Sequence, residues 1–303
     1  MPEGPEVTIM SQYLLSKLKN SYITKITVLN GKYLKKQING IDYIKDNYKI
    51  TNIESKGKLT WFTLENDKST LYMLSHLGLS GEWNFEKNDN ARIKVDILKN
   101  DKKQDLYFND QRNFGSIEII KDKKKLTKKL DELADDALKT NITIKYFIQI
   151  FDDFLNKSSA RKNANIYKTL MNQKKINGIV SGLGNYLVAE ILYNAKISPH
   201  RTIGSLTESE IKQLFKSIKY VIKLSYYDNI TGYMENFKDF IDIHKKGISD
   251  GTYPDYHGDI DLKNKKFKFY VYRRKTDDKN NPVTAEKNLI KGRTVYWVPN
   301  VQK

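Results

Sequence analysis

The chain has 303 residues, 39% hydrophobic and 29% charged, a length and balance that give about two globular domains and argue against disorder. Its 53 Lys+Arg against 36 Asp+Glu leave a formal charge of +17, so an anionic partner is expected, nucleic acid ahead of an acidic membrane surface. The absence of cysteine excludes disulfides, thiol nucleophiles, iron–sulfur clusters and cysteine-based zinc sites, and no run of eighteen apolar residues offers a membrane span.

The opening residues, Met1-Pro2-Glu3-Gly4-Pro5-Glu6, have neither the basic start nor the apolar segment of a secretory signal. From Glu6 to Lys19, Val7, Met10, Tyr13, Leu14 and Leu18 recur at helical spacing, which predicts an amphipathic helix with one buried face. From Ser21 to about Lys121 the pattern turns to short runs rich in β-branched and aromatic residues, such as Ile23 to Leu29, Leu59 to Leu64, Thr70 to Ser75 and Ile93 to Leu98. Gly, Asn and Asp break these runs, and together they predict an antiparallel β-sandwich or barrel. Lys123, Lys124, Lys125, Lys128 and Lys129, then Asp131, Glu132, Asp135 and Asp136, leave little to pack, so residues 122–141 read as a linker.

The helical period returns after residue 141. Ile144, Phe147, Ile148, Phe151, Phe154 and Leu155 form one stripe and Ile166, Tyr167, Leu170 and Met171 begin another, with further helices over Leu187 to Tyr193 and Glu208 to Leu224. Asn229 to Asp261 keeps no period and reads as a long excursion. The last forty-one residues hold twelve Lys/Arg against three Asp/Glu. Within them Phe267 to Tyr272 and Thr294 to Val298 are predicted to form a hairpin that presents Arg273, Arg274 and Arg293 to a phosphate backbone. The four histidines, His76, His200, His244 and His257, include no pair at the i, i+4 spacing of a helical metal site. No metal and no cofactor is expected.

Removal of Met1 would leave a secondary amine on Pro2 followed by the carboxylate of Glu3. A terminal amine has a reference pKa of roughly 7.7–8.0 against about 10.4 for lysine, so far more of it is a free nucleophile near neutrality. Attack of that amine on a sugar C1′ yields a cationic iminium, an electron sink for β-elimination. Glu3 is then the candidate proton donor to the sugar ring, and Glu6, one turn on, a second proton-handling group. The plain alternative is helix-start chemistry, with proline and acid in the first turn.

Met1-Pro-Glu-Gly-Pro-Glu-Val7 resembles the N-terminus of the formamidopyrimidine-DNA glycosylase and endonuclease VIII family of base-excision repair enzymes, and further motifs agree in order. The family's phosphate-contacting lysine corresponds to Lys58 in Ser55-Lys-Gly-Lys-Leu-Thr-Trp61, with Lys56 as the other register. His76-Leu-Gly-Leu-Ser-Gly81 resembles the loop that inserts a methionine into the space of the everted nucleotide; Leu79 stands in the methionine position and remains an apolar wedge. Asp110-Gln-Arg-Asn-Phe-Gly115 resembles the loop that places an arginine on the orphaned base and a phenylalanine in the stack, which maps to Arg112 and Phe114. Gly178-Ile-Val-Ser-Gly-Leu-Gly-Asn-Tyr-Leu-Val-Ala-Glu-Ile-Leu192 and Ile197-Ser-Pro-His-Arg201 resemble the helix–two-turns–helix motif, and the resemblance gives Asn185 and the amides beside it a phosphate role. Gly292-Arg-Thr-Val-Tyr-Trp-Val-Pro-Asn-Val-Gln302 follows the family's zinc finger with Val298 and Val301 in cysteine positions; the other two ligand positions fall near Lys279 and Pro282. The resemblance therefore implies a zincless finger of the endonuclease VIII-like branch, whose phosphate-gripping arginine maps to Arg293.

The resemblance implies an α+β, multi-domain protein. Residues 1–121 would form an N-terminal helix plus antiparallel β-sandwich, 122–141 a linker, 142–262 a helical domain with the helix–two-turns–helix motif, and 263–303 the zincless β-hairpin finger. It implies a monomeric bifunctional DNA glycosylase and abasic-site lyase acting on double-stranded DNA through a Pro2 Schiff base and β,δ-elimination. Oxidised pyrimidines and further-oxidised guanine products are the favoured lesions. Oxidised purines such as 8-oxoguanine and formamidopyrimidine are the alternative, and a non-enzymatic damage sensor is a second. Location with genomic DNA is expected, with no membrane partner, and Lys-, Asn- and Ile-rich usage points to an AT-rich genome such as that of a large DNA virus or a protist.

Overall fold

The computed structural model describes residues 2–139, 142–232 and 265–303. It divides into two compact units, one of Met1–Pro2 with Glu6–Asp131 and one of Glu3–Pro5 with Glu132–Lys303.

The first unit takes in most of helix α1 (Gly4–Leu18), which carries Glu6 in its first turn and Lys17 in its last, as the helix dipole favours. Val7, Met10, Leu14 and Leu18 of its predicted stripe are buried. Eight strands follow: β1 (Tyr22–Val28), β2 (Tyr48–Lys56), β3 (Leu59–Glu65), β4 (Thr70–His76), β5 (Gly81–Asn84), β6 (Ala91–Lys99), β7 (Lys102–Asp110) and β8 (Ser116–Ile120). Each pairing is antiparallel, in the order β5-β7-β6-β1-β2-β3-β4-β8.

Burial differs among the strands: β3 and β4 are buried almost throughout, whereas β6 alternates. In β6, Ala91, Ile93, Val95 and Ile97 are buried while Arg92, Lys94 and Asp96 face outward. The sheet doubles over on itself as a sandwich: Trp83 of edge strand β5 packs edge-on against Phe62 of β3 at 5.7 Å and donates to Ser75 Oγ of β4 at 3.0 Å. Neither β3 nor β4 neighbours β5 within the sheet. α1 lies on one layer, where Ser11 Oγ and Thr60 Oγ1 of β3 hydrogen-bond at 2.9 Å.

The stretch 122–141, expected to be a linker, holds helix α2 (Lys123–Glu132). Leu126 is buried, Lys129 pairs with Glu118 of β8 at 2.6 Å, and Lys56 Nζ donates to the Leu130 carbonyl at 2.8 Å. One apolar residue and two polar clamps suffice to seat a lysine-rich helix that composition alone reads as solvated.

The second unit contains α3 (Ile144–Asn156), α4 (Ser159–Lys162), α5 (Ile166–Met171), α6 (Asn185–Ala195), α7 (Glu208–Gly232) and the hairpin β9 (Thr284–Ile290) with β10 (Arg293–Trp297). Thr143 caps α3 by accepting from Tyr146 N, and Phe147, Phe151 and Phe154 fill its buried face. Residues 133–137, also in the expected linker, bridge to the chain ahead of α6: Ser181 N donates to Asp135 O at 2.7 Å and Ala137 N to Ser181 O at 3.0 Å. α6 is apolar nearly all round and buried from Asn185 to Leu192, the pattern of a core helix.

Phe267 to Tyr272 is not the first strand of the hairpin, as its composition predicted; β9 begins at Thr284. The backbone amides of Tyr270, Val271 and Tyr272 donate instead to the carboxylate of Glu190. The excursion Asn229 to Asp261 falls, from residue 233 on, outside the described residues. Among the described residues no helix is long and apolar enough to cross a membrane.

Candidate functional site

Pro2 is buried immediately ahead of α1. The side chain of Glu3, 0% exposed, accepts from Tyr186 N at 3.0 Å and from Leu187 N at 3.2 Å. These amides lie in the first turn of α6, where donors lack an intrahelical partner and the positive end of the macrodipole faces outward. Gly184 caps the helix without a side chain. Gly4 N donates to Gly182 O at 2.7 Å, and a Cβ on Gly4 would stand 3.0 Å from Gly182 Cα, so two glycines are needed for the backbones to meet. Glu6, 8% exposed, lies in the first turn of α1.

The resemblance gave a DNA phosphate to Asn185 and the α6 amides beside it. In the structure the cap is Gly184, and the carboxyl group of Glu3 occupies the amides. Asn185 is buried with both ends of its amide engaged: Oδ1 accepts from the Tyr167 hydroxyl at 3.1 Å and Nδ2 donates to the Thr294 carbonyl of β10 at 3.0 Å. Burial, and after it the charge of Glu3, holds the Tyr167 hydroxyl well above the usual phenol pKa, so it stays a donor.

In the first unit the two predicted base-contacting loops are clasped together. Asp110 Oδ1 accepts from Ser80 Oγ at 2.6 Å and Oδ2 from Gly115 N at 2.7 Å, while Arg112 N donates to Ser80 Oγ at 2.9 Å. Gly78, at φ +66°, brings the Leu79 turn so close that a Cβ there would stand 2.6 Å from Gly115 N. Phe114 is 62% exposed, an aromatic ring presented to solvent, with Arg112 exposed beside it and Leu79 half-buried. Lys32 Nζ holds the far end of the same loop through the Gly115 carbonyl at 2.5 Å.

Lys58 sits half-buried at the β2–β3 turn, whose Gly57 takes φ +58°. Its neighbour Leu59 is in register with His76, whose ring hydrogen-bonds the Lys58 backbone. Crowding around that ring lowers the His76 pKa against the opposing pull of the hydrogen bond. Lys56, the other register, spends its ammonium on Leu130.

The C-terminal hairpin is fastened along α6. Glu190, 2% exposed, takes the three amides of 270–272 at 2.8–3.0 Å; burial raises its pKa, and those three bonds oppose the rise. Val298, 0% exposed, donates its N–H to Gln302 Oε1 at 2.8 Å, and Gln302 Nε2 donates to Ile197 O at 3.0 Å. Val298, Val301, Lys279 and Pro282, at or near the ligand positions that the resemblance implies, carry no thiolate, imidazole or carboxylate and do not fit a zinc ion. Arg293 opens β10, paired with Ile290 across the Lys291-Gly292 turn.

The sequence reading missed Asp110, Glu190 and Ser80: Asp110 and Ser80 hold the loops of the expected base-contacting residues, and Glu190 holds 270–272. Glu190 had a visible signal, a lone acid inside the apolar run Val188-Ala-Glu-Ile-Leu192; Asp110 and Ser80 looked like ordinary turn residues.

Three family models cover most of the chain: the formamidopyrimidine-DNA glycosylase N-terminal domain over residues 1–117, its H2TH domain over 131–232 and its C-terminal domain over 258–303. A formamidopyrimidine-DNA glycosylase of Wolbachia from Brugia malayi is 32% identical over 72% of this chain and 76% of its own length. That of Prochlorococcus marinus strain MIT 9301 is 28% identical over 100% of both. Among solved structures, the MutM (Fpg) protein from Thermus thermophilus superposes with a TM-score of 0.70 at 20% identity, over 99% of this chain and 98% of that one. Lactococcus lactis Fpg bound to DNA containing an AP site gives a TM-score of 0.72 at 21% identity over 99% of both chains. With its N-terminal Pro-Glu, its clasped loops and its H2TH helix in this order, the chain belongs to the formamidopyrimidine-DNA glycosylase family.

Proposed function

We propose that this protein is a bifunctional DNA glycosylase and abasic-site lyase that removes oxidised purines, formamidopyrimidines and 8-oxoguanine among them, from duplex DNA. The observation that carries the reading is the Pro2-Glu3 pair, with the Glu3 carboxylate buried and held by two amides of α6. Held there, Glu3 fixes the chain one residue from the amine that acts.

With Met1 removed, the Pro2 nitrogen attacks C1′ of the damaged nucleoside as the C1′–base bond breaks, the base leaving with the bonding pair and taking up the proton that Pro2 loses; the ring oxygen then takes a proton from Glu3 as the C1′–O4′ bond opens and C1′ becomes doubly bonded to nitrogen. The resulting iminium makes the C2′ proton acidic. Its loss expels the 3′ phosphate, a second elimination expels the 5′ phosphate, and water releases the sugar fragment from Pro2. Glu6 serves proton transfer in these later steps. Everting a base costs a few kcal/mol, least for a damaged one, and Leu79, Arg112 and Phe114 offset it by filling the space. Lys58, Asn185 and Arg293 hold the backbone, Asn185 by positioning β10. With about six phosphates contacted, log affinity falls with log salt at a slope of about −5.

The choice of oxidised purines follows the relatives, which are named for formamidopyrimidine, and fold neighbours solved with 8-oxo-G or Fapy-dG DNA. The expected preference for oxidised pyrimidines rested on the finger's missing cysteines, which are remote in sequence from the loops that meet the base. The segment expected to shape the lesion pocket, Asn229 to Asp261, lies largely outside the described residues.

Borohydride trapping tests the reading on duplexes carrying 8-oxoguanine, formamidopyrimidine, thymine glycol or an abasic site. A covalent adduct with the purine lesions and the abasic site, lost when the N-terminus is extended, is the expected result. Faster reaction with thymine glycol would transfer the proposal to pyrimidines, and tight binding without any adduct would leave a damage sensor. Glu3→Gln should slow base release at least about 100-fold, the usual range for a positioned acid.

A further inference from the structure

The finger hairpin has a second attachment to α6, at the turn that precedes β9. The Asp277 carboxylate accepts from Lys279 N at 2.9 Å, from Asn281 N at 2.8 Å and from Asn281 Nδ2 at 2.8 Å, and its Oδ2 takes the Tyr193 hydroxyl at 3.0 Å. Asp277 N bonds Asn281 O and Val283 N bonds Lys275 O, closing the turn into β9. Asp277 is 5% exposed. Its pKa falls below the ordinary value because, although burial pushes it up, the bonds from Asn281, Lys279 and Tyr193 outweigh that push. Tyr193 is itself oriented by stacking on Tyr270 at 5.7 Å, and its hydroxyl also reaches Asp278 Oδ1 at 3.2 Å.

The two attachments lie at opposite ends of one helix. Asn185 grips β10 at Thr294, beside Arg293, and Tyr193 grips the base of β9 through Asp277. Eight helical residues separate them by about 12 Å. Glu190 holds 270–272 and Gln302 holds the chain after β10; the Asn185 bond fixes β10 itself and the Tyr193 bond the turn that leads into β9, so loss of the latter leaves β9 less constrained in direction.

We propose that Tyr193 and Asp277 are positioning residues for Arg293, a two-residue knot that fixes the direction of the finger. This inference rests on the reading of Arg293 as a phosphate contact.

The test uses the full chain and a duplex with a tetrahydrofuran abasic-site analogue, with Tyr193→Phe, Asp277→Asn, Asp277→Ala, Arg293→Ala and the double variant Tyr193→Phe/Arg293→Ala. Tyr193→Phe keeps the stacked ring and loses only the hydroxyl, with its bonds to Asp277 and Asp278. Two readouts are taken, amide hydrogen exchange over residues 284–297 and the salt dependence of DNA affinity. The knot predicts faster exchange in Tyr193→Phe and Asp277→Ala, with partial recovery in Asp277→Asn, which keeps an acceptor. It also predicts affinity lower by about fivefold, the equivalent of one hydrogen bond, and a salt slope shallower by up to about 0.9, one phosphate's share. On the Arg293→Ala background, Tyr193→Phe should then cost no further affinity. Unchanged exchange, or full additivity of Tyr193→Phe with Arg293→Ala, would overturn the knot. A salt slope untouched by Arg293→Ala would instead remove the phosphate reading of Arg293, while the exchange data still decide whether the knot orders the hairpin.

Discussion

The eight-stranded sheet and the C-terminal hairpin are both antiparallel β-structure, yet they are held by different forces. In the sheet, Ile23, Ile50, Phe62, Leu64, Leu71, Met73, Ile93, Val95 and Leu106 are all 0% exposed, so register follows from a buried face. In the hairpin, Val295 is the one buried residue of the two strands, and the place of the hairpin and its flanking chain is set by polar bonds with Asn185, Glu190 and Tyr193 of α6 and with the Ile197 carbonyl just after it. An apolar face spreads its contribution over many residues, whereas directional bonds concentrate it in a few. The part of the chain proposed to grip DNA thus depends on a handful of named groups.

The strongest way to break this contrast is Trp83→Ala, which removes a ring packed on Phe62 and Phe108. It should destabilise the first unit by about 3–5 kcal/mol, seen in denaturant unfolding, while hydrogen exchange in the hairpin stays as it was. Glu190→Gln should do the reverse. Replacing a buried carboxylate that serves three amides costs about 1–3 kcal/mol, and exchange at Tyr270, Val271 and Tyr272 should accelerate with the sheet unaffected. If both regions responded equally to either change, the division of forces would be wrong.

Smaller effects sharpen it. Ser80→Ala removes the hydroxyl that bridges Asp110 and Arg112 N and should cost about 0.5–1.5 kcal/mol, with weaker binding to lesion-containing duplex than to undamaged duplex as the two loops part. The smallest effect is one of pH in the second unit. Burial brings Lys219 down to about 8, against the pull of Asp136, and burial with the charge of Lys219 brings Lys223 to about 8. Below pH 8 both lysines are protonated folded and unfolded, so their contribution is constant. Between 8 and about 10 the unfolded chain binds more protons, so stability rises with pH. A thermal midpoint that climbs a few degrees from pH 8 to 9.5 in the wild type, and less in Lys219→Met, checks the sign.

Much of this was legible in the residues. β-Branched and aromatic runs named β1, β3, β4 and β6, and helical stripes named α1, α3, α5 and α6, because residue content and a repeating apolar face are written locally. α2 was not legible, since its one buried leucine and two polar clamps leave no stripe. Phe267 to Tyr272 looked like a strand for its aromatic and β-branched content; an acid some eighty residues away claims its amides, and no local pattern records that.

By itself the sequence determined the two-part architecture, the N-terminal Pro2-Glu3 pair proposed to react and the order of the loops, since periodicity, residue chemistry and motif spacing are properties of neighbours along the chain. Only the tertiary structure decided that the first-turn amides of α6 hold Glu3 rather than standing free, that Asn185 spends its amide on Thr294, and that Asp110 locks two loops into one. Each of these is a pairing of a buried donor with an acceptor from distant sequence. Burial makes an unpaired polar group costly, but which partner satisfies it is settled only when the chain has folded and the distances exist.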